Sequence, residues 1–158
     1  MESKNFVSVE FPALSENEAL ARSVVSSVVI PADPTVEILS DIRTAVSEAV
    51  TNSIIHGYKG KCKNARGNVN VIKIKCVRKD YMLDLYVEDF GCGIEDIEKA
   101  MQPLYTSAPE LERSGLGFTV MESFMDYIDV ESEVGKGTRI HMKKLLNGAS
   151  DAVSVEEL

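Results

Sequence analysis

The sequence predicts an α/β (α+β) two-layer sandwich, in which a mixed, mostly antiparallel sheet carries helices on one face. The predicted elements follow the order strand, two helices, hairpin, loop, helix and two strands. Helices placed this unevenly cannot cover both faces of a doubly wound parallel sheet. Residues 69–78 alternate apolar side chains with lysines, which is typical of a strand with one solvated face. A chain of 158 residues is long enough for one domain with a sizeable core.

The N-terminal part is predicted to form one strand and the starts of two helices. Residues 5–11 alternate weakly between apolar and polar side chains, which indicates a strand. Ser15 and Glu18 have the spacing of a capping box, which predicts that the first helix begins there. Asp33 and Pro34 are predicted to be the cap and the first residue of the second helix.

The second predicted helix carries a line of polar residues. It is predicted to end at Gly57, and its apolar residues recur at three- and four-residue steps. Glu48, Asn52 and His56 recur at four-residue steps, which on a helix stacks a carboxylate, an amide and an imidazole. A carboxylate can accept a proton and an amide oxygen can bind magnesium, but a solvated polar stripe would show the same spacing. The apolar face consists of Leu39, Ile42, Val46, Ala49, Val50 and Ile54.

The middle of the chain is predicted to form a hairpin followed by loops. Residues 69–78 and 81–88 both alternate, and Lys79 with Asp80 is predicted to be the turn between them. A short helix is expected within residues 94–101. Residues 102–114 contain two prolines and no clean period, which predicts a mobile loop.

The last elements are a helix and two strands. Residues 118–128 return to a helical period, and residues 129–133 and 138–143 are predicted strands joined by a glycine turn. We therefore predict one domain over residues 1–144. Residues 145–158 are small, polar and acidic, which indicates a disordered tail.

A first glycine cluster follows the predicted hairpin. Asp89 is followed by Gly91 and Gly93, and glycines allow the backbone to approach a flat ligand closely. The carboxylate of Asp89 can accept a hydrogen bond from an exocyclic amine. This cluster alone could equally be a turn.

Two further glycine clusters lie later in the chain. Gly115 and Gly117 precede a predicted helix, whose free N-terminal amides would suit phosphate oxygens. Gly137 and Thr138 lead into the last predicted strand. Each cluster alone is a weak signal, but all three in this order after an E-x-x-x-N pattern form a specific combination.

Composition excludes several classes of function. The formal net charge of −8 argues against nonspecific or direct nucleic-acid binding. Cys62, Cys76 and Cys92 lack metal-ligand spacing, and an odd count without a signal peptide favours reduced thiols in the cytoplasm. We expect no membrane segment, because no apolar stretch is long enough to span a bilayer.

Together, these motifs resemble the four nucleotide boxes of the GHKL ATPase superfamily, which includes gyrase, histidine kinases and MutL. Residues 47–58, 109–118 and 121–126 further resemble the anti-sigma F factor family of endospore-forming bacteria. The resemblance covers roughly residues 5–143, and its most specific part is the long match in the loop before Phe118.

The resemblance implies a Bergerat ATP-binding fold with a mobile ATP lid, ATP or ADP as the nucleotide, and Mg²⁺. It also implies a homodimer that binds a sporulation sigma factor and, as a serine kinase, phosphorylates an anti-anti-sigma factor. Two alternatives stay open: a general-stress anti-sigma kinase of the same superfamily, and a nucleotide-gated sigma-binding module without significant kinase activity.

The resemblance also implies roles for the adenosine and metal sites. Asp89 would hold the adenine amino group, with Thr138 nearby. Gly91 and Gly93 would line the base and the ribose. Asn52 would bind the magnesium ion that bridges the phosphates.

For the phosphate end, the resemblance implies that amides around Gly115 and Gly117 cradle the phosphates and that Arg113 reaches the terminal one. Glu48 would be the catalytic base that orients the attacking hydroxyl. The chain departs from the family pattern at Ala108, where a lid lysine is expected.

The first predicted helix is not needed by any of the nucleotide boxes. Its Glu18 and Arg22 lie one turn apart and could simply form a surface ion pair. We interpret them instead as partner-binding residues, since arginine is a common interface anchor.

Overall fold

The structure is a computed structural model that describes residues 4–103 and 117–148, and it contains a five-stranded antiparallel sheet with the order β1-β2-β3-β5-β4. Helices α1 and α2 pack against one face of this sheet, which confirms the predicted fold class. The elements are β1 (Lys4–Pro12), α1 (Asn17–Val29), α2 (Val36–Asn52), β2 (Val71–Lys79), β3 (Met82–Asp89), α3 (Ile97–Ala100), α4 (Gly117–Phe124), β4 (Tyr127–Glu133) and β5 (Gly137–Leu145).

The hairpin of β2 and β3 forms the centre of the core. Ile72 and Ile74 on β2 and Leu83 on β3 are fully buried beneath the helices, while Lys73 and its neighbours on the opposite face are exposed. The alternation predicted from sequence is therefore correct. The turn lies one residue later than predicted, because β3 begins at Met82 and Asp80 takes the left-handed φ of 51° that the tight turn requires.

The predicted capping box at the start of α1 is wrong. The helix begins at Asn17, and no side chain caps it. The carboxylate of Glu18 instead accepts a hydrogen bond from the Thr51 hydroxyl on α2, with an oxygen–oxygen distance of 2.5 Å. A tertiary contact has therefore replaced the local one.

The predicted cap of α2 is also wrong. Thr35 is the cap, and its hydroxyl accepts a hydrogen bond from the Ile38 amide at 3.2 Å. Asp33 instead ends the 3-10 turn Ile30–Ala32 with a left-handed φ of 53°. Asp33-Pro34 thus forms the connection between the helices, two residues before the cap.

Helix α2 lies between α1 and α4 and contributes most to the helical half of the core. Ile42, Val46, Ala49 and Val50 are fully buried, which confirms the predicted apolar face. After Asn52 the chain continues as the π-helical turn Ser53–Gly57, so the helical run does end at Gly57. This turn is wider than the α-helical turns before it.

The uncovered face of the sheet carries its own polar cluster. The Nε2 atom of His141 lies 2.7 Å from Oδ1 of Asp84, and the His141 ring stacks on Tyr86 with centroids 4.2 Å apart. The guanidinium of Arg139 also lies over the Tyr86 ring, 4.5 Å from its centroid. These cross-strand pairs stabilise a solvated face without apolar burial.

The C-terminal end of the domain extends slightly beyond the predicted boundary at residue 144. Leu145 pairs with Met82 on β3, and Leu146 is buried. Most of the predicted lid and of the predicted tail lies outside the described residues. Within the described part of the chain, no helix has the length and apolar character needed to cross a membrane.

We expect Leu83→Ala to lower the free energy of unfolding by about 2–5 kcal/mol, because it leaves a cavity at a fully buried position. Tyr81→Ala is the matched control two residues away, since Tyr81 is 51% exposed; its expected effect is about 0.5 kcal/mol or less. Urea unfolding of the three proteins measures both values. Equal losses from the two variants would contradict the assigned strand faces.

Candidate nucleotide site

A cavity of about 550 Å³ opens where the end of α2, the loop after β3 and the start of α4 meet. It is large enough for a small-molecule ligand of nucleotide size. The structure brings five of the predicted site residues to its wall, although they come from distant parts of the sequence. These residues are Asn52, Asp89, Gly93, Gly117 and Thr138.

Asp89 ends β3 and is only 4% exposed. Its carboxylate accepts hydrogen bonds from the amide of Gly91 at 3.0 Å, from the hydroxyl of Ser53 and from the backbone of Thr138. Burial nevertheless raises the pKa of the Asp89 carboxyl, because loss of hydration outweighs these bonds. A buried acceptor held in one orientation can discriminate between ligands by their hydrogen-bond donors.

Three glycines allow the chain to fold tightly around this carboxylate. A Cβ atom at Gly57 would lie 2.8 Å from Asp89 Oδ1, and one at Gly91 would lie 2.0 Å from the Gly57 carbonyl oxygen. At Gly137, where φ is +118°, it would lie 2.1 Å from the Asp89 carbonyl oxygen. The sequence predicted that glycines here let a ligand approach the backbone. In the structure, Gly57, Gly91 and Gly137 let segments of the protein itself approach one another.

The Gly93 end of the loop is held by the opposite strand pair. Gly93 has a φ of +77°, and a Cβ atom there would lie 2.3 Å from the Glu133 carbonyl oxygen. The Ser132 hydroxyl accepts a hydrogen bond from the Ile94 amide at 2.7 Å and lies 2.9 Å from the Thr138 hydroxyl. Ser132 thus links the first glycine loop to Thr138, a role that no local sequence pattern indicates.

Tyr58 fixes the same loop from the other side. Its hydroxyl accepts a hydrogen bond from the Phe90 amide at 2.7 Å and donates one to the Val71 carbonyl at 2.5 Å. Burial raises the pKa of the Tyr58 phenol, so it stays a neutral donor and acceptor. Sequence reasoning did not single out Tyr58, because its partners lie 13 and 32 residues away.

Glu48 and Asn52 meet the start of α4. A Cβ atom at Gly117 would lie 3.0 Å from Asn52 Oδ1 and 3.3 Å from Glu48 Oε2. Glycine at this position therefore allows α4 to pack directly on the two polar side chains of α2. As the E-x-x-x-N spacing predicted, the Glu48 carboxylate and the Asn52 amide face one site, the start of α4 at Gly117.

The surroundings of Asn52 fit a missing polar ligand. Asn52 is 8% exposed, and within the described residues its amide nitrogen has no hydrogen-bond partner. Rotating the amide exchanges its nitrogen and oxygen, so the residue can present an oxygen to a magnesium ion. Among the described residues, no group of three histidine, cysteine or acidic side chains is placed to hold a metal ion. Magnesium commonly takes most of its ligands from phosphates and water.

Two predicted phosphate-binding residues, Arg113 and Gly115, lie outside the described residues, as does Ala108. The two predicted partner-binding residues lie away from the cavity wall. Glu18 bonds to Thr51, as described above, and Arg22 Nη1 donates to the Ser47 hydroxyl at 2.7 Å. Both side chains therefore contact α2, and among the described residues no ion pair joins them.

A family model for the histidine kinase-like ATPase domain matches residues 11–144. The chain is 56% identical over 146 residues to the anti-sigma F factor of Clostridium kluyveri, covering 92% of this chain and 98% of that protein. It is 57% identical over 141 residues to the anti-sigma F factor of Clostridium acetobutylicum, covering 89% and 94%. The chain belongs to the anti-sigma F factor family of histidine kinase-like (GHKL) ATPase domains.

Solved structures agree with the fold of this family. The RsbU and RsbW domains of Rv1364c from Mycobacterium tuberculosis match with a TM-score of 0.62 at 15% identity, over 90% of this chain and 32% of that one. The catalytic domain of histidine kinase ThkA matches with a TM-score of 0.52 at 15% identity, over 91% and 99%. At this identity the likeness concerns the fold alone.

We expect Asp89→Asn to weaken ADP binding, because an amide nitrogen replaces one acceptor of the carboxylate. The variant should also change the pH dependence of stability. The raised pKa means that folded Asp89 binds its proton more tightly than unfolded Asp89, so its contribution to the free energy of unfolding falls as pH rises between the two pKa values.

Relative to the parent, Asp89→Asn should therefore gain stability as pH rises through that interval. Calorimetry with ADP and urea unfolding at several pH values test the two effects. Asp129→Asn, on the exposed part of β4, controls for the loss of one charge. Unchanged ADP affinity together with an unchanged pH slope would contradict the assigned role of Asp89.

Proposed function

We propose that this chain is an ATP-dependent protein serine kinase that binds and inhibits a sporulation sigma factor and phosphorylates an anti-anti-sigma factor. The observation that carries this proposal is that buried Asp89 and Asn52 line one cavity, while half-buried Glu48 lies beside Gly117 at its edge. Nucleotide binding alone would need only Asp89 and Asn52. The additional carboxylate of Glu48, next to the phosphate end, suits phosphoryl transfer to a hydroxyl. The chain would act in the cytoplasm as a homodimer, with twice the 17.3 kDa mass of one chain.

In this proposal the nucleotide base lies against β3 and β5. The Asp89 carboxylate accepts a hydrogen bond from the adenine amino group, and Thr138 on the neighbouring strand lies beside it. Gly91 and Gly93 form the loop along the base and the ribose. Adenine is favoured over guanine here, since guanine presents a carbonyl to Asp89 at the corresponding position.

The phosphate end lies towards α4. Asn52 would help to hold a magnesium ion, which would neutralise charge on the phosphates. Amides around Gly115 and Gly117 would hold the phosphate oxygens, and Arg113 would contact the terminal phosphate. These three roles correspond to the positioning and electrostatic stabilisation that phosphoryl transfer requires.

The transfer step needs one base. Glu48 accepts the proton of the partner's serine hydroxyl as its oxygen forms a bond to the terminal phosphorus. The bond between that phosphorus and the bridging oxygen breaks, and ADP leaves with the electron pair. The products are a phosphoserine on the partner and ADP, and the proton leaves Glu48 to solvent.

Two alternatives share the same site. A sigma-binding module gated by nucleotide would need no base, and the position of Glu48 beside Gly117 and Asn52 argues against it. A general-stress kinase would have the same fold, and the RsbW-containing neighbour supports the fold only. The name anti-sigma F factor, carried by relatives at 56–57% identity, favours the sporulation assignment.

We expect Glu48→Gln to keep nucleotide affinity and to slow phosphorylation of the anti-anti-sigma factor by roughly two to four decades. The test incubates each protein with ATP, magnesium and the anti-anti-sigma factor and maps the phosphopeptide. Glu37→Gln, an exposed carboxylate in the first turn of the same helix, is the control and should retain the parental rate. Transfer at the parental rate by Glu48→Gln would exclude Glu48 as the base.

The sigma factor and the kinase substrate are proposed to compete for one surface that includes α1 near Arg22. Arg22 contacts Ser47, which directly precedes Glu48, so a protein on this part of α1 is close to the phosphate end of the site. Leu20 is 45% exposed on the same helix and can add apolar contact. Phosphorylation would then release one competitor by adding charge to it.

We expect Arg22→Glu to weaken binding of both partners while leaving ATP affinity unchanged. Loss of a hot-spot arginine at an interface lowers affinity at least about tenfold. Lys75→Glu makes the same charge reversal on the uncovered face of the sheet and should affect neither partner. Simultaneous binding of both partners to one protomer would contradict the competition model.

A further inference from the structure

A second cavity lies between α1 and α2 and is separate from the nucleotide cavity. It is an open groove of about 500 Å³ that follows α2 from Val36 to Glu48, with Arg22 contributed by α1. The twelve residue-to-residue steps from Val36 to Glu48 correspond to roughly 18 Å of helix, which accommodates about five residues of an extended peptide. Glu48 marks one end of this groove and lies one helical turn before Asn52, which lines the nucleotide cavity.

The groove contains two arginines held in place by serine hydroxyls. Arg22 Nη1 donates to Ser47, and Arg43 Nη1 donates to Ser26, each with a donor–acceptor distance of 2.7 Å. A hydroxyl orients a guanidinium without neutralising its charge, and each of these bonds uses one of five N–H donors. Two positively charged groups therefore lie along the groove of a chain whose formal net charge is −8.

The residues that line the groove change from apolar to charged along its length. Val36, which is 85% exposed, and Leu39 form an apolar mouth. The arginines follow, and the carboxylate proposed as the base comes last. This order suits a segment that has an apolar residue, then an acidic residue, and then a hydroxyl residue at Glu48.

We infer that this groove binds the acceptor segment of the phosphorylated partner, and that Arg43 recognises an acidic side chain of that segment. The inference rests on the proposed kinase function and adds to it a route for the acceptor serine and a specificity-determining residue. Arg43 is a positioning residue, since it lies more than one helical turn from Glu48 and contacts no reacting atom. Its charge determines which segments bind, and Glu48 acts on the hydroxyl that arrives.

A purely structural role for Arg43 makes a different prediction. Its bond to Ser26 joins α2 to α1, so it could serve only as a clamp between the helices. Ser26→Ala removes the clamp and keeps the charge, whereas Arg43→Ala removes both. Arg43→Lys keeps a positive charge but loses the planar guanidinium.

The experiment measures kcat and KM for the anti-anti-sigma factor, together with ADP affinity and thermal stability, for the parent and these three variants. We expect Arg43→Ala to raise KM at least about tenfold with kcat and ADP affinity retained. Arg43→Lys should recover part of this loss, and Ser26→Ala should leave KM within about twofold of the parental value. Lys75→Ala, on the uncovered face of the sheet, controls for the loss of one positive charge.

An unchanged KM in Arg43→Ala, or an equal rise in Ser26→Ala, would overturn the inference. Calorimetric binding of the unphosphorylated anti-anti-sigma factor separates this outcome from failure of the kinase proposal. If the parent binds this partner without phosphorylating it, the kinase proposal fails, and weaker binding by Arg43→Ala still supports the groove. If Arg43→Ala binds as tightly as the parent, the groove is not the docking site.

Discussion

The site depends on one buried carboxylate and on the tight backbone packing that encloses it. Asp89 is desolvated at the end of a central strand, and its charge is tolerated because backbone and hydroxyl donors surround it. That arrangement needs glycine at positions 57, 91 and 137, where any side chain would collide with Asp89 or with the loop that holds it. Burying this group costs free energy, and it produces an acceptor held in one orientation that can recognise a ligand amine.

Helix α2 connects the parts of the molecule that the proposed reaction requires. Its apolar face fills the core against the sheet, its last turn faces the nucleotide cavity, and its first turns line the groove beside α1. Because α2 is packed tightly in the core, its cavity end and its groove face can only move together. The same helix carries Glu48 and Asn52 and packs against α1. This shared helix is a physical route by which the proposed nucleotide and partner sites can be coupled.

The two arginines of the groove hold the helices together and are also proposed to recognise a partner. Arg22 and Arg43 join α1 to α2 through serine hydroxyls, which orders the long side chains before any partner arrives. An ordered guanidinium loses less conformational entropy on binding than a solvated one. Glu18 makes the same kind of contact with Thr51, so polar contacts between α1 and α2 accompany the apolar packing of Ala21 and Val25.

By itself, the sequence determined the order of the elements and the alternation of the hairpin, because these follow from periodicity within short windows. The nucleotide roles of its glycine motifs came from a family resemblance and stay predictions. The tertiary structure alone decided which helix caps form, since Glu18 bonds across to Thr51 and Thr35 competes with Asp33 as a cap. It also revealed Tyr58, Ser53 and Ser132, whose partners are distant in the sequence. Such contacts depend on how separate segments pack, and no local pattern carries that information.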